Sequence, residues 1–169
     1  MILLIGSDAY SPFRLDAIRS AIAKLDPKTG PVSIDAKWVY AVQGRPQGVD
    51  PDELTRAREL LNALGECDGA DFFVTPRKGT ISPWSTKATD IFRNCGLKTI
   101  LRVERGIRFR LSAPVSEKAM GALYDKMTEG VYRDISDLFE IDEPRPGRTY
   151  DVMAKGIEAI REANAEIGL

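Results

Sequence analysis

Histidine is absent from this chain of 169 residues, and cysteine occurs only twice, at Cys67 and Cys95. The lack of histidine removes the commonest general base and the usual partner of serine and cysteine nucleophiles. Two distant cysteines without histidine also fall short of the usual ligands of a zinc site and of a disulfide framework. We therefore assign no catalytic residue and no metal ligand, and we expect no complete hydrolytic or glutaminase reaction from this chain alone. Chemistry based on lysine or carboxylates stays open.

An excess of one charge and long hydrophobic runs are missing too. With 24 basic and 25 acidic residues the formal net charge is -1, so no overall field favours nucleic acid or an anionic membrane surface. The apolar start at residues 1–5 ends at Gly6, far short of a membrane span, and lacks the basic residues of a signal peptide. It predicts a first core strand. Because 43% of the residues are hydrophobic, we expect a globular protein. The balanced charge and the missing signal peptide lead us to expect a cytoplasmic protein without nucleic-acid or membrane partners.

The order of predicted elements repeats along the chain. Extended segments are predicted at residues 1–6, 32–42 and 72–75. Helices are predicted to begin after Ser11, Asp50, Ser82 and Ser116. Ser11-Pro12-Phe13 and Ser82-Pro83-Trp84 open the first helix of each half, 71 positions apart. We predict an α+β fold of two fused copies of a small strand–helix–hairpin–helix unit with antiparallel sheets. The copies are residues 1–66 and 67–141 of one domain, 1–141.

The second half contains an extended stretch at residues 99–111 and a predicted helix at 116–127. Within the stretch, Glu104-Arg105-Gly106 fits either a tight turn or a glycine bulge that makes a hairpin, and the sequence does not decide between them. Its arginines, interpreted as a solvated basic ladder, are Arg102, Arg105, Arg108 and Arg110.

The end of the chain lies outside both copies. Residues 143–148 contain two prolines and a glycine, a composition typical of a linker. A last helix is predicted at residues 150–167, with Val152, Ile157, Ile160 and Ala163 partly periodic. Two interpretations stay open for residues 142–169: the first piece of a further region, or a terminal helix that docks on the domain.

Residues 75–90 join an apolar strand to a helix through a turn rich in hydroxyl groups and charges. Ser82 fits the N-cap position with Pro83 after it, which leaves the amides of Trp84 and Ser85 at the positive end of the helix dipole. Such an end can bind an anion. The side chains that would complete a phosphate or carboxylate pocket are Thr80, Ser82, Ser85, Thr86, Arg77, Lys78 and Lys87. The alternative is an ordinary capped helix start whose hydroxyl groups satisfy their own backbone.

The helix after this turn has an apolar and a polar face. The apolar face, interpreted as core, consists of Trp84, Ala88, Ile91 and Cys95. Lys87, Asp90 and Asn94 share the polar face. Lys87 and Asp90 either pair on the surface or face a partner domain or substrate.

The motif in this region resembles the amino-terminal domain of the long, single-chain form of phosphoribosylformylglycinamidine synthase. The resemblance is carried by residues 75–77, 79–85, 87–91 and 94–97. Weaker matches are Ser11 with Phe13-Arg14, residues 104–106, residues 125–129 and residues 163–169. Thr86 stands where serine is common in the family, which keeps the hydroxyl group.

The resemblance implies two fused copies of the small subunit of the multi-subunit enzyme. It also implies the ATP- and glutamine-dependent synthesis of the amidine in purine biosynthesis, with ATP and magnesium used by other domains and no cofactor bound by this chain. Residues 142–169 would then lead toward a catalytic region, and the chain is not expected to be active alone.

From this resemblance we hypothesise that the chain is a non-catalytic interaction domain and that the motif faces a partner. Its partners would be the synthetase and glutaminase domains of the same enzyme, with self-association as a further expectation. Arg77 and Lys87 would pair with partner or substrate anions. Hydrogen bonds would come from Thr80, Ser82 and Ser85, Asp90 would orient Lys87, and Trp84 completes the candidate set. The competing hypothesis is a self-sufficient module that binds a phosphate or nucleotide at the Ser82 helix start.

Overall fold

The computed structural model describes residues 1–141, 147 and 149–168. Its first five elements alternate strand and helix: β1 Ile2–Asp8, α1 Pro12–Leu25, β2 Ile34–Gly44, α2 Pro51–Leu61 and β3 Gly65–Glu66. The next five repeat that order: β4 Phe72–Pro76, α3 Pro83–Asn94, β5 Ile100–Leu111, α4 Glu117–Met120 and β6 Glu129–Tyr132. Two further helices follow, α5 Val152–Lys155 and α6 Ile157–Ile167.

One six-stranded antiparallel sheet contains both halves, in the order β3-β1-β2-β5-β4-β6. Equivalent strands of the two halves occupy equivalent places on either side of the central β2–β5 pair. That pair runs from Ile34 opposite Leu111 to Gln43 opposite Arg102 without a break in register. The predicted α+β class with antiparallel pairing is confirmed.

The extended stretch of each half is one long strand rather than a hairpin. Residues 104–106 form neither a turn nor a bulge, because β5 stays paired with β2 across them. Gly106 serves close packing instead. A Cβ atom there would lie 2.6 Å from Thr75 Cγ2 and 2.7 Å from the Val74 carbonyl oxygen, so a side chain has no space.

Helices α1 to α4 cover one face of the sheet and form two separate core clusters with it. The first core cluster joins α1 and α4 to the sheet and contains Ile18, Ile22, Val32, Ile34, Ala36, Phe72, Val74, Ile107, Phe109, Ala119 and Leu123. The second core cluster joins α2 and α3 to the sheet and contains Leu4, Val42, Ala57, Phe92, Leu97, Ile100 and Val103. On the opposite face, Val39, Ala41 and Phe73 pack under Ile135 and Leu138. Because side chains alternate along β2, neighbouring residues serve different faces.

The helices α1, α2 and α3 begin where the sequence predicts them, at capping residues. The side chains of Ser11, Asp50 and Ser82 each accept an amide hydrogen from the first turn, and each is followed by a proline. Such caps satisfy amides that have no partner inside the helix.

Two predicted helices are shorter than the sequence suggests. The helix predicted at 116–127 ends at Met120, with Gly121 as its C-cap. Asp125 then accepts hydrogen bonds from Met127 N and Thr128 Oγ1, forming a turn that leads into β6. The last helix is interrupted by Gly156, whose φ is +59°. Most of the predicted linker, residues 142–146 and 148, lies outside the described residues.

No helix among the described residues is long and apolar enough to cross a membrane. The tail helices expose Val152, Ile157 and Ile160, whereas Ala159 is buried. The division into a domain at 1–141 and a tail at 142–169 stays a prediction.

Candidate functional site

Three segments that carry the family resemblance meet in space. Arg77 donates from Nη2 to the Lys126 carbonyl oxygen at 2.6 Å and from its amide to the Thr128 carbonyl oxygen at 3.3 Å. Ser82, at the end of the polar turn, contacts Glu104 of β5. The motif is therefore a single structural region rather than an isolated loop.

Glu104 is the centre of this region. Its side chain is only 1% exposed, yet its oxygens accept four hydrogen bonds. Oε1 accepts from Ser82 Oγ at 2.6 Å and from the Arg105 amide at 2.9 Å, and Oε2 accepts from Arg102 Nη2 at 3.1 Å and the Ser82 amide at 3.3 Å. A buried carboxylate is tolerated when it is paired and hydrogen-bonded in this way.

Arg102 ties the carboxylate to the rest of the turn. Its Nε donates to Ser85 Oγ at 3.0 Å, and its Nη2 donates to the Thr80 carbonyl oxygen at 2.7 Å. Its guanidinium lies 5.0 Å from the ring centroid of Phe139 on the opposite face. With 12% of its side chain exposed, Arg102 serves structure rather than ligand capture.

Two buried hydroxyl groups replace a missing strand neighbour. β4 pairs with β5 only at residues 107–109 of β5, which leaves the backbone of Val103 without a partner strand on that side. Ser85 Oγ donates to the Val103 carbonyl oxygen at 2.6 Å, and Thr89 Oγ1 accepts from the Val103 amide at 3.2 Å. These bonds fix α3 along the strand edge and satisfy backbone groups that cannot reach water.

A cation and three aromatic rings lie on the helix-covered face. The guanidinium carbon of Arg105 is 4.2 Å from the ring centroid of Trp38 and 5.1 Å from that of Trp84. Tyr40 stacks on Trp84 at 5.9 Å with an interplanar angle of 24°. Burial raises the pKa of Tyr40, and the nearby charge of Arg105 partly opposes that effect. We call Trp38, Tyr40, Trp84 and Arg105 the aromatic–arginine group.

Comparison with known families decides the identity of this region. The family model described as formylglycinamide ribonucleotide amidotransferase N-terminal matches residues 37–141, more than half of the chain. The chain belongs to this family. The match spans nearly all of β2 through β6 and contains the Glu104 network and the whole aromatic–arginine group. Membership places the chain with the N-terminal region of phosphoribosylformylglycinamidine synthase, an enzyme of purine biosynthesis.

In this amidotransferase N-terminal domain most hydroxyl groups of the predicted pocket bond to the domain itself. Thr80 Oγ1 donates to the Arg77 carbonyl oxygen at 2.6 Å, and Thr86 Oγ1 donates to the Ser82 carbonyl oxygen at 3.2 Å. Lys78 forms an ion pair with Asp137. The structure thus agrees with the interpretation of a capped helix start that satisfies its own backbone.

The predicted pair of Lys87 and Asp90 does not form. Asp90 lies 3.3 Å from Arg93 Nη1, an arrangement with the acid first that suits the helix dipole better than the reverse order. Lys87 is exposed and has no hydrogen-bond or ion-pair partner in the described part of the chain. Of the two predicted anion partners, Lys87 has no partner among the residues that the structure describes, and Arg77 is held by the backbone of residues 126 and 128.

The sequence interpretation missed the separate role of Arg105 within the arginine ladder. Arg102, Arg108 and Arg110 share a face and pair with Glu104, Asp35 and Asp68 respectively. Arg105 lies an odd number of positions from these three arginines along the strand. Its side chain therefore points to the other, helix-covered face of the sheet. The alternation of side chains along a strand was the sequence signal that could have separated Arg105 from the other three arginines.

We expect Ser82→Ala to lower the free energy of unfolding by about 2 kcal/mol, at the upper end of N-cap effects. Ser82 caps α3 through the Ser85 amide at 2.9 Å and also donates to buried Glu104. Ser11→Ala is the matched control, because Ser11 caps α1 through a longer, exposed bond of 3.3 Å and should cost about 0.5 kcal/mol. Urea unfolding measures both; equal losses would contradict the role of the Glu104 bond.

Proposed function

We propose that this chain is a non-catalytic interaction domain of phosphoribosylformylglycinamidine synthase. It packs on the synthetase part of the enzyme and helps to hold the synthetase and glutaminase parts in register for ammonia transfer. ATP, magnesium and glutamine are used by those other parts, and the chain is not active alone. A cytoplasmic location follows from this role and stays part of the proposal.

One observation carries the proposal: the polar side chains of the family motif are mostly engaged inside the domain. Ser82, Ser85 and Thr89 bond to Glu104 or to the β5 backbone. A catalytic site keeps its reactive groups facing a cleft where substrate can enter. Side chains engaged in this way build a rigid surface, which is what a docking partner requires.

The groups left on the surface beside α3 suit a protein partner. Ile81 is 57% exposed and Ile91 48% exposed, and Lys87 has no partner in the described part of the chain. Trp84 is half-buried and stays at the edge of the second core cluster. Mixed apolar, aromatic and cationic side chains are typical of interface centres.

The competing hypothesis, a phosphate or nucleotide bound at the Ser82 helix start, is disfavoured by Glu104. Its carboxylate already accepts from the Ser82 amide and hydroxyl. An incoming anion would meet that negative charge in a buried setting, where like charges repel strongly.

A binding experiment tests the proposal. The synthetase–glutaminase portion of a family enzyme, prepared as a separate polypeptide, is titrated with this chain in a calorimeter, and ATP, the substrate ribonucleotide and inorganic phosphate are titrated separately into the chain. We expect a 1:1 complex with micromolar or tighter affinity and no heat from the three small ligands. Tight binding of a small ligand without protein association would favour the competing hypothesis. Self-association of the isolated chain, read from sedimentation in the same samples, stays a separate expectation.

A further inference from the structure

The arginines of β5 differ in whether their guanidinium groups have a carboxylate partner. Arg102, Arg108 and Arg110 each lie within 3.1 Å of a carboxylate oxygen. Arg105 has no hydrogen bond or ion pair from its guanidinium among the residues that the structure describes. Its backbone amide donates to Glu104 Oε1 at 2.9 Å.

Arg105 also lies where the two halves of the helix layer meet. Trp38 packs against the first core cluster, whereas Trp84 and Tyr40 pack against the second. The guanidinium contacts both tryptophans and thereby bridges the boundary. The side chain is partly exposed, so its hydrogen-bond donors reach the surface while its position is restricted by the rings.

This arrangement prepares the guanidinium for an anionic oxygen pair. A guanidinium carries five donors in a planar fork that matches a carboxylate, and it is hydrated more weakly than an ammonium group. Contact with aromatic faces limits its motion, so less conformational entropy is lost when it binds. Tryptophan, tyrosine and arginine are also the side chains most enriched among residues that dominate interface energies.

A protein carboxylate suits the site better than a small anion. Arg105 itself occupies the space against the tryptophan rings, so a nucleotide base has no ring face there on which to stack. A cavity of about 670 Å³ lies elsewhere, and none of its lining residues belongs to the aromatic–arginine group. Small ligands prefer concave sites, whereas a partly exposed cation that contacts two tryptophan rings suits an extended partner surface.

We propose that Arg105, held between Trp38 and Trp84, is the anchor that receives a carboxylate side chain of the synthetase part. This inference rests on the proposed function, and it adds the chemistry of the contact. The partner residue is an aspartate or glutamate at the surface that packs on α3 and the centre of the sheet.

A cleavage experiment tests this anchor in the assembled enzyme. The chain is fused to the synthetase–glutaminase portion of a family enzyme, with a protease site inserted in residues 142–148, and is cut only after folding. The dissociation constant of the released fragment is then measured by sedimentation. Arg105→Met keeps the apolar stem against the rings and removes the charge, and Arg56→Met on the exposed face of α2 is the matched control.

We expect the wild-type fragment to stay bound, Arg105→Met to raise the dissociation constant at least about tenfold, and Arg56→Met to change it less than about twofold. Arg105→Lys should weaken binding by an intermediate factor, because it keeps the charge and loses the fork. Circular dichroism of each fragment confirms its fold.

The outcomes separate the two proposals. Release of the wild-type fragment would overturn the proposed function. A bound wild-type fragment with equally tight Arg105→Met would overturn only the anchor. Phosphate or ATP binding to the isolated chain that disappears in Arg105→Met would also overturn it, by making the group a small-anion site.

Discussion

Glu104→Ala is expected to lower the free energy of unfolding by about 3–5 kcal/mol, the range for removing one partner of a buried ion pair. The change leaves Arg102 without its carboxylate in a setting where only 12% of its side chain is exposed. It also removes the acceptor of the Ser82 hydroxyl and amide, and buried groups without partners carry the full cost of lost hydration.

Glu66→Ala is the matched control for this variant. Glu66 pairs with Arg58 at 2.6 Å, but its side chain is 70% exposed, so its loss should cost less than about 1 kcal/mol. Urea unfolding followed by circular dichroism compares the two variants. A loss at Glu104 no larger than the loss at Glu66 would show that the buried network does not hold the turn on β5.

Gly106→Ala is expected to destabilise the domain by about 2–3 kcal/mol, as overpacking of a tight core does. The added methyl group would lie 2.6 Å from Thr75 Cγ2 and 2.7 Å from the Val74 carbonyl oxygen. The carbonyl belongs to the backbone of β4 and cannot rotate away, so the pairing of β4 with β5 must shift.

Gly65→Ala offers a strand glycine with open space as the control, because nothing lies within 4 Å of its ideal Cβ. We expect a change of about 0.5 kcal/mol or less, since alanine also restricts the unfolded chain. Thermal unfolding of both variants is the measurement. Similar midpoints for the two variants would contradict close packing as the reason for Gly106.

Local sequence signals predicted the helix starts and the extended stretches, but they wrongly predicted a hairpin where each half has one long strand. Pairing between distant segments decided what they missed. Serine or aspartate before proline marks a helix N-terminus by its own hydrogen bond, as at Ser11, Asp50 and Ser82. β3 and β6 have only two and four residues, too few for a periodic pattern. They exist because β1 and β4 offer edges to pair with.

The unusual composition of residues 75–90 singled them out as a candidate site, but the sequence did not predict the partners of their side chains. Glu104 was interpreted only as part of a turn or a bulge, because its contact with Ser82 joins residues 22 positions apart. Once β5 is one continuous strand, Glu104 and Arg105 must point to opposite faces. One then completes the polar network, and the other enters the aromatic–arginine group. The roles proposed for the remaining motif residues stay predictions.

The measurement that tests the central claim most directly is glutamine-dependent synthesis of the amidine by the synthetase–glutaminase portion of a family enzyme. The rate is determined with and without this chain added as a separate polypeptide. We expect the chain to restore the rate, and Lys87→Ala to bind more weakly and so restore less at equal concentration, because Lys87 lies on the exposed surface proposed to meet the synthetase. A rate that does not change when the folded chain is added, at concentrations where the complex forms, would contradict the proposal that this domain organises the enzyme.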